Sequence, residues 1–282
     1  MRLIEDPSEL ASPAFHACGF VPTMGALHEG HASLVKRAAE AGRPVIVSIF
    51  VNPTQFGPNE DYGRYPRTLD ADCALLEPLG VAGVFVPAVE AIYPEGLDAS
   101  RAVAASLALP EVATQPGLED SCRPGHLAGV ALVVGRLFDL VGASAAYFGE
   151  KDYQQLRLIE DMVATDPARF AGLRVVACPT IRERDGLAMS SRNRYLKADE
   201  RDAALALARA LQIAHSAQRV ATAERLMRET LDAHGLETEY AVIRDARTLR
   251  PVGGFELPTR ALIAARLGAT RLIDNAAMTV WR

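Results

Sequence analysis

The sequence has few cysteines, no long hydrophobic run and no excess of basic residues, and each shortage excludes a class of protein. Its four cysteines are widely spaced and form no CxxC pair, which argues against a zinc site and favours a reducing compartment. No run approaches the ~20 apolar residues of a membrane-spanning helix, and the N-terminal MRLIEDPSEL lacks the apolar stretch of a secretory signal. A net charge of −5 argues against a protein that coats nucleic acid. We therefore expect a cytoplasmic protein with small-molecule ligands and neither nucleic-acid nor membrane partners.

Short apolar runs alternate with segments of helical periodicity over the first two thirds of the 282-residue chain. The near-continuous hydrophobicity of these runs is typical of buried parallel strands, and the alternation predicts a doubly wound, Rossmann-like α/β sheet. Pro7 and Pro13 indicate that any helix before the first long strand is irregular. The predicted strands are 19–22, 44–51, 81–87, 145–148 and 173–178, and the predicted helices are 31–41, 68–79, 127–141 and 153–164.

The pattern changes after about Ala198 to a smaller unit of mixed composition. An alanine-rich helix is predicted over 199–218, a second helix over 222–234 with Thr222 as its N-cap, and strands near 239–243 and 260–265. These elements predict a smaller C-terminal α+β domain. We place the Rossmann-like domain at 1–180 and the smaller domain at 181–282, with the loop around Ser190 on the second domain and facing the first.

Polar motifs begin where the predicted strands stop. Because the carboxyl ends of parallel strands meet at one edge of the sheet, where such folds bind ligands, we expect the loops that follow them to converge. The motifs are PTMGALHEGH after Val21, NPTQFG after Val51, GEKDYQQ after Phe148 and PTIRERDGLAMSSRNRYL after Cys178.

The first motif places His28 and His31 where a strand passes into a helix. A helix N-terminus offers unpaired N–H groups and a positive dipole end, Gly25 and Gly30 allow close approach of a ligand, and the imidazoles add donors. Both rings lie on one helical face, so a metal site is an alternative. The zinc-protease motif needs histidines four residues apart, however, and HEGH does not have that spacing. The pattern favours phosphate binding.

A second motif, Met189, Ser190, Ser191 and Arg192, combines hydroxyls with a guanidinium, which suits triphosphate oxygens. Alone it is weak, because similar loops are common on protein surfaces. Together with the upstream HEGH it resembles the paired HIGH-type and KMSKS-type loops of class I aminoacyl-tRNA synthetase-like nucleotidyltransferases. In those proteins the two loops grip ATP.

Longer strings narrow the resemblance to the pantothenate synthetase (pantoate–β-alanine ligase) family. The match runs from about Phe20 to Leu196 and resumes faintly at IRDARTL and ARLGATRLIDN. The matching strings, in the family's order, are PTMGALHEGH, SIFVNPTQF, YPRTLDAD, RPGHLAGV, FGEKDYQQL and DGLAMSSRNRYL. The resemblance implies ATP-dependent condensation of pantoate with β-alanine through a pantoyl adenylate, giving pantothenate, AMP and pyrophosphate.

The resemblance also implies roles for individual residues. It makes His31 the proton donor, with His28 at the α-phosphate and Lys151 on the phosphates, and these three are the candidate catalytic residues. Ser190, Ser191 and Arg192 would hold the β and γ end, Gly149 and Asp152 the ribose, and Ile181 and Met189 the adenine. The full candidate ATP site is Met24, Gly25, Ala26, Leu27, His28, Glu29, Gly30, His31, Gly149, Glu150, Lys151, Asp152, Ile181, Met189, Ser190, Ser191 and Arg192.

By the same resemblance Gln55 and Gln155 bind pantoate, with Gln55 also near β-alanine. Mg²⁺ is expected to accompany ATP, held mainly by phosphates and water, with Asp72 as an outer contributor and no dedicated protein metal site. A homodimer is expected. Asn52, Arg123 and His126 lie in matching strings, where a structural role is equally open.

Two other functions remain open from the residues alone. An adenylyltransferase that passes AMP to a phosphate acceptor is one, but such an acceptor calls for more cations near Gln55 and Gln155. A regulatory nucleotide-binding protein with an inactive site is the other. The joint presence of His28, His31, Lys151, Ser190 and Ser191 argues against the second interpretation.

Overall fold

The computed structural model describes residues 1–58 and 60–278. Within them a six-stranded sheet has the order β1-β4-β3-β2-β5-β6, and every neighbouring pair is parallel. The predicted α/β class with a doubly wound sheet is confirmed. Its strands are β1 (Arg2–Ile4), β2 (Gly19–Thr23), β3 (Val45–Ile49), β4 (Gly83–Phe85), β5 (Ala145–Gly149) and β6 (Arg174–Cys178).

Helices cover both faces of this sheet because each buried strand points alternate side chains to opposite sides. On β2, Phe20 packs into one core with α6 and α7, whereas Val21 packs into the other with α1. The helices of this part are α1 (Glu29–Ala39), α2 (Leu69–Leu76), α3 (Val89–Ile92), α4 (Leu97–Ser106), α5 (Glu119–Cys122), α6 (His126–Val141) and α7 (Tyr153–Thr165).

The direction of winding reverses between β2 and β5, which are adjacent although the chain visits β3 and β4 between them. In open α/β sheets such a switch point leaves a crevice at the carboxyl ends of the two strands. The loop from β2 to α1 contains His28, and the loop from β5 to α7 contains Lys151. The topology therefore brings these two motifs to one crevice.

The C-terminal part is a second layered unit with its own core. Helices α8 (Ala198–Ala204), α9 (Ala206–Ala214) and α10 (Val220–Asp232) pack against an antiparallel sheet of order β7-β8-β9. The strands are β7 (Glu237–Asp245), β8 (Thr259–Leu267) and β9 (Thr270–Met278). This agrees with the predicted α+β character, whereas the domain boundary at residue 181 stays a prediction.

Several local predictions were wrong or incomplete. Thr222 is not an N-cap: α10 begins at Val220 after Arg219, and Thr222 lies in its first turn. The predicted helix over 68–79 is α-helical to Leu76 and then tightens into a 3₁₀ turn, as expected where Pro78 follows. The sequence analysis did not predict β1, α4 or β9. Pro7 and Pro13 each begin a 3₁₀ turn, so the N-terminal segment is irregular as expected.

Over the described residues, no helix combines the length and the apolar character needed to cross a membrane.

Candidate functional site

One cavity lies at the switch point and gathers residues from all four polar loops. The predicted residues that line it are Met24, His28, Gly30, His31, Gln55, Gly149, Lys151, Asp152, Gln155, Ile181, Met189, Ser190, Ser191 and Arg192. Gly25, Ala26 and Leu27 form the turn behind the cavity instead of lining it, and Glu29 and Glu150 point elsewhere. The exposed Glu29 lies 3.9 Å from Lys36, and Glu150 pairs with Arg260.

The two histidines form a reciprocal cap at the start of α1. His28 Nδ1 accepts a hydrogen bond from the Gly30 N–H at 3.1 Å, and His31 Nδ1 accepts from the His28 N–H at 3.3 Å. Their ring centroids are 4.1 Å apart. Because both Nδ1 atoms act as acceptors, each neutral ring carries its proton on Nε2. Helix capping thus fixes both tautomers and leaves two Nε2–H donors.

Both rings are neutral near pH 7 because their pKa values are lowered. Burial and the charge of Lys151 lower the pKa of His28 to about 4. Burial, His28 and Lys151 together lower the pKa of His31 to about 3. The histidines therefore offer hydrogen bonds instead of full charges before a ligand binds, and Lys151 is the cation beside them. An incoming polyanion would raise both pKa values and strengthen these donors.

Asp72 holds the turn that precedes the histidines. Its buried carboxylate accepts from the Ala26 N–H at 3.0 Å and the Leu27 N–H at 2.8 Å. Gly25 and Ala26 have φ of 80° and 51°, and a Cβ on Gly25 would lie 3.0 Å from an Asp72 oxygen. A left-handed backbone at Ala26 is unfavourable by itself, so the two hydrogen bonds stabilise it. Asp72 thus has a structural contact that its expected role near Mg²⁺ does not account for.

Gln55 is oriented by Asn52 from the same loop. Asn52 Nδ2 donates to Gln55 Oε1 at 2.9 Å and to the Gly129 carbonyl at 3.2 Å. Its Oδ1 accepts from the Tyr93 hydroxyl at 2.6 Å. Because the carbonyl oxygen of the Gln55 amide is already paired, its NH₂ group, which also donates to Met24 Sδ at 3.4 Å, is the end that can face a ligand.

Helix α6 approaches this loop closely. A Cβ on Gly129 would lie 2.4 Å from the Thr54 carbonyl oxygen and 2.7 Å from Gln55 Cα, closer than real contacts allow. Further along the same helix Val130, Val133 and Val134 form an apolar wall of the cavity. The glycine therefore sets how near the valine wall stands to Gln55.

The Met189–Arg192 motif directly follows a small hairpin in which Arg182 pairs with Ala188. Its strands are joined by the Met189 N–H donating to the Ile181 carbonyl at 2.9 Å. Arg192 donates to both oxygens of Asp61 at 2.9 and 3.0 Å. The hydroxyls of Ser191 and Tyr65 lie 3.1 Å apart. In the described structure this motif is thus bound to the segment at Asp61–Tyr65, and Arg192 already has an anionic partner.

The sequence and structure of known proteins match the chain over most of its length. A family model described as pantoate-beta-alanine ligase matches residues 4–277. The chain belongs to the pantoate–β-alanine ligase family. A pantothenate synthetase from Rubrobacter xylanophilus is 50% identical over 271 residues, covering 92% of this chain and 90% of the relative.

Two solved structures of the family share this fold. Pantothenate synthetase from Thermus thermophilus has a TM-score of 0.89 and 43% identity, covering 98% of this chain and 99% of that one. Pantoate-beta-alanine ligase from Francisella tularensis, complexed with beta-gamma ATP and beta-alanine, has a TM-score of 0.79 and 33% identity, covering 98% and 97%. The predicted family is confirmed.

In this member of the pantoate–β-alanine ligase family the cavity has parts that sequence reasoning missed. Tyr65 lines it and contacts Ser191, and burial raises the pKa of its phenol. Asp61, the partner of Arg192, was also missed. Its neighbourhood, DYGRYPR, combines charges with aromatics, but a local pattern does not show which distant loop it meets. Only the fold pairs two segments so far apart in the chain.

Of the two adjacent glutamines on α7, only Gln155 lines the main cavity. Gln154 is buried, accepts from the Glu119 N–H at 2.8 Å and donates to the Val112 carbonyl at 2.8 Å. Nearby, Asn275 of β9 donates to the carbonyls of Glu150 and Lys151, at 2.9 and 2.8 Å. The C-terminal sheet therefore supports the backbone that presents Lys151.

Across residues 1–58 and 60–278, no group of three or more His, Cys, Asp or Glu side chains is placed to hold a metal ion.

Proposed function

We propose that the chain joins pantoate to β-alanine using ATP, giving pantothenate, AMP and pyrophosphate through a pantoyl adenylate. The observation that carries the proposal is that one cavity has an end lined by two histidines and a lysine, suited to phosphates, and an end lined by amides. His28, His31 and Lys151 form the first, and Gln55 and Gln155 form the second. The family name and the Francisella tularensis complex with beta-gamma ATP and beta-alanine support the same reaction.

In the first step a pantoate carboxylate oxygen attacks the α-phosphorus of ATP. The new O–P bond forms as the bond to the bridging oxygen breaks, and that oxygen leaves on pyrophosphate with the electron pair. Negative charge grows on the phosphoryl oxygens and the leaving group. We assign the Nε2–H groups of His28 and His31 and the ammonium of Lys151 to stabilise that charge. His31 is the residue that would donate to the leaving charge.

Pantoate has two hydroxyls, a carboxylate and a carbon with two methyl groups. The amides of Gln55 and Gln155 suit the polar groups, and the wall of Val130, Val133 and Val134 suits the methyls. A phosphate acceptor would instead call for cations at this end. The amide and valine lining therefore favours pantoate over the adenylyltransferase alternative.

In the second step the β-alanine amine attacks the carbonyl carbon of the adenylate. The amide bond forms, the bond to the AMP oxygen breaks, and the amine loses a proton. Water competes for such a mixed anhydride, so a site that excludes water favours the amine. Arg192 lies after β6 and Asp61 lies before α2, so their contact joins two loops beside the cavity.

The remaining roles extend the same proposal. Ser190, Ser191 and Arg192 would hold the β and γ end of ATP, Gly149 and Asp152 the ribose, and Ile181 and Met189 the adenine. Mg²⁺ would arrive on the triphosphate, because this ion is usually held by substrate phosphates and water. We further propose a cytoplasmic homodimer with domains at 1–180 and 181–282. Sedimentation equilibrium measures the mass in solution, and a monomer mass across the working concentration range would contradict the dimer.

The decisive assay measures AMP and pyrophosphate release from Mg-ATP with pantoate and β-alanine supplied separately and together. We expect sustained release of both products only when both acids are present, and up to one pyrophosphate per site with pantoate alone. The Lys151→Met variant tests the cavity, and Lys36→Met, which changes an exposed lysine on α1, is its control. Absence of AMP with both acids present would overturn the proposal.

A further inference from the structure

A chain of charged and polar groups runs from the C-terminal sheet to the Gln55 loop. It begins at Arg271 on β9, whose guanidinium donates to both oxygens of Glu119 at 2.6 and 2.9 Å. Tyr240 on β7 donates its hydroxyl to the same carboxylate at 2.7 Å. All three side chains are largely buried. Two strands of the second unit thus contact one carboxylate of the first.

Glu119 lies next to a second arginine. Arg123 Nη1 is 3.7 Å from Glu119 Oε2, while Nε and Nη2 donate to Glu60 at 2.6 and 2.7 Å. Arg123 therefore stands between two carboxylates. Arg271 and Tyr240 already satisfy Glu119, and Arg123 directs Nε and Nη2 to Glu60 instead.

The third nitrogen of Arg123 continues the chain through a histidine. Burial and Arg123 lower the pKa of His126 to about 4, so its ring is neutral. His126 Nδ1 lies 3.0 Å from the Gln55 carbonyl oxygen and must carry the proton there. Nε2 consequently accepts from Arg123 Nη1 at 2.9 Å. His126 thus ties the position of Arg123 to the backbone of Gln55.

We propose that Arg271 and Glu119 are positioning residues for pantoate. They act on Gln55 through Arg123 and His126. Without Arg271, a buried and uncompensated Glu119 attracts Arg123 away from Glu60 and His126. The His126 ring then loses the contact that orients it, and Gln55 loses its fixed place. This inference rests on the proposed function, because Gln55 is taken to bind pantoate.

The test compares Arg271→Lys with Arg266→Lys. Arg271 and Arg266 both donate to the carboxylate of Glu239, but only Arg271 also contacts Glu119. Lysine keeps a positive charge but cannot pair with both Glu119 oxygens as the guanidinium does, so Glu119 is less well paired and Arg123 is drawn towards it. We expect Arg271→Lys to raise the KM for pantoate about tenfold with the KM for ATP within about twofold, and Arg266→Lys to change neither.

A Gln55→Ala background separates positioning from general support. If Arg271 acts through Gln55, Arg271→Lys has little further effect on the KM for pantoate once Gln55 is alanine. Should Arg271→Lys fail to fold, Tyr240→Phe removes one donor to Glu119 and should raise the same KM by about two- to threefold.

Three results would each overturn the inference. The first is an equal change in the KM values for pantoate and ATP, and the second is additivity of Arg271→Lys with Gln55→Ala. The third, which applies when Arg271→Lys cannot be measured, is no effect of Tyr240→Phe. A wild-type chain that makes no pantothenate would overturn the proposed function instead. An active wild type whose Arg271→Lys variant behaves like Arg266→Lys would overturn only the positioning role.

Discussion

His31 accepts the His28 backbone N–H through Nδ1, at 3.3 Å, so one hydrogen bond both begins a helix and selects a tautomer. The same ring lines the cavity in which we place the phosphates. Helix capping uses Nδ1 of the His31 ring, and the proposed phosphate contact uses Nε2. Substitutions can therefore separate the two roles.

Replacing His31 with alanine should lower the rate of adenylate formation by roughly two or more orders of magnitude, because a preorganised donor is lost. Glutamine can place an amide N–H near the position of Nε2, whereas asparagine reaches only the Nδ1 position. We therefore expect His31→Gln to retain more activity than His31→Asn. Single-turnover release of pyrophosphate from ATP and pantoate measures this, and normal adenylate formation in the alanine variant would contradict the role.

Gly129→Ala should both destabilise the protein and weaken pantoate binding. The added Cβ meets the Thr54 carbonyl at 2.4 Å, so α6 or the Gln55 loop must move. We expect a loss of about 1–3 kcal/mol in the free energy of unfolding and a higher KM for pantoate. Gly135→Ala on the same helix is the control, because its Cβ meets only the flexible side chain of Arg169, at 3.1 Å. Denaturant unfolding and initial rates check both, and equal behaviour of the two variants would contradict the close-approach argument.

Asp72→Asn should disturb the turn before His28 although it barely changes side-chain volume. An asparagine presents one acceptor where Asp72 presents two, so either the Ala26 or the Leu27 N–H faces an NH₂ group. The expected loss is about 1–3 kcal/mol of unfolding free energy, together with a higher KM for ATP. Asp70→Asn, on the exposed face of α2, is the control. A normal KM for ATP in Asp72→Asn would show that the turn does not depend on this carboxylate.

The buried neutral histidines predict a stability that falls in acid. The pKa values of His28, His31 and His126 are lowered to about 4, 3 and 4 from 6.5, so the unfolded chain binds more protons below about pH 6.5. Unfolding free energy should therefore fall as pH drops from about 6.5 to 4, by up to about 1.4 kcal/mol per pH unit for each histidine.

His126→Asn isolates one of these contributions, because it keeps a donor towards the Gln55 carbonyl and removes the titrating ring. Urea unfolding at pH values between 7.5 and 4.5 gives the unfolding free energy at each pH. We expect this free energy to fall less steeply with decreasing pH in His126→Asn than in the wild type. An unchanged slope would mean that His126 does not titrate with folding.

The sheet and the convergence of loops could be predicted from sequence because buried parallel strands are continuously apolar and their loops share an edge. Two strands were not predicted: β1 has only three residues, and β9, nine residues long, has Asp274 and Asn275 in its middle. Those two polar side chains are buried and bind Arg182, Glu150 and Lys151 across the structure. A local pattern cannot show that a polar residue in a strand has a distant partner.

Sequence analysis predicted many of the residues that line the cavity but few of the contacts that support them. Family strings identified the loops, and most of the residues that line the cavity come from those strings, whereas Val133, Val134 and Ile181 lie outside them. The contact between Arg192 and Asp61 and the dual role of the His31 ring depend on distances that no spacing in sequence encodes. The predicted residues Gly25, Ala26 and Leu27 shape the turn through their backbone, and Asp72 accepts from the N–H groups of Ala26 and Leu27.

Because Arg192 is paired with Asp61, a ligand must be long enough to reach this guanidinium and must also compete with the Asp61 carboxylate for it. A phosphate that takes Arg192 must displace a carboxylate that already accepts two hydrogen bonds from it. A nucleotide too short to reach the guanidinium leaves the Arg192–Asp61 pair in place and gains no contact with Arg192. If Arg192 holds the γ end as proposed, a full triphosphate can compete with Asp61 for the guanidinium, and the pairing would favour ATP over shorter nucleotides.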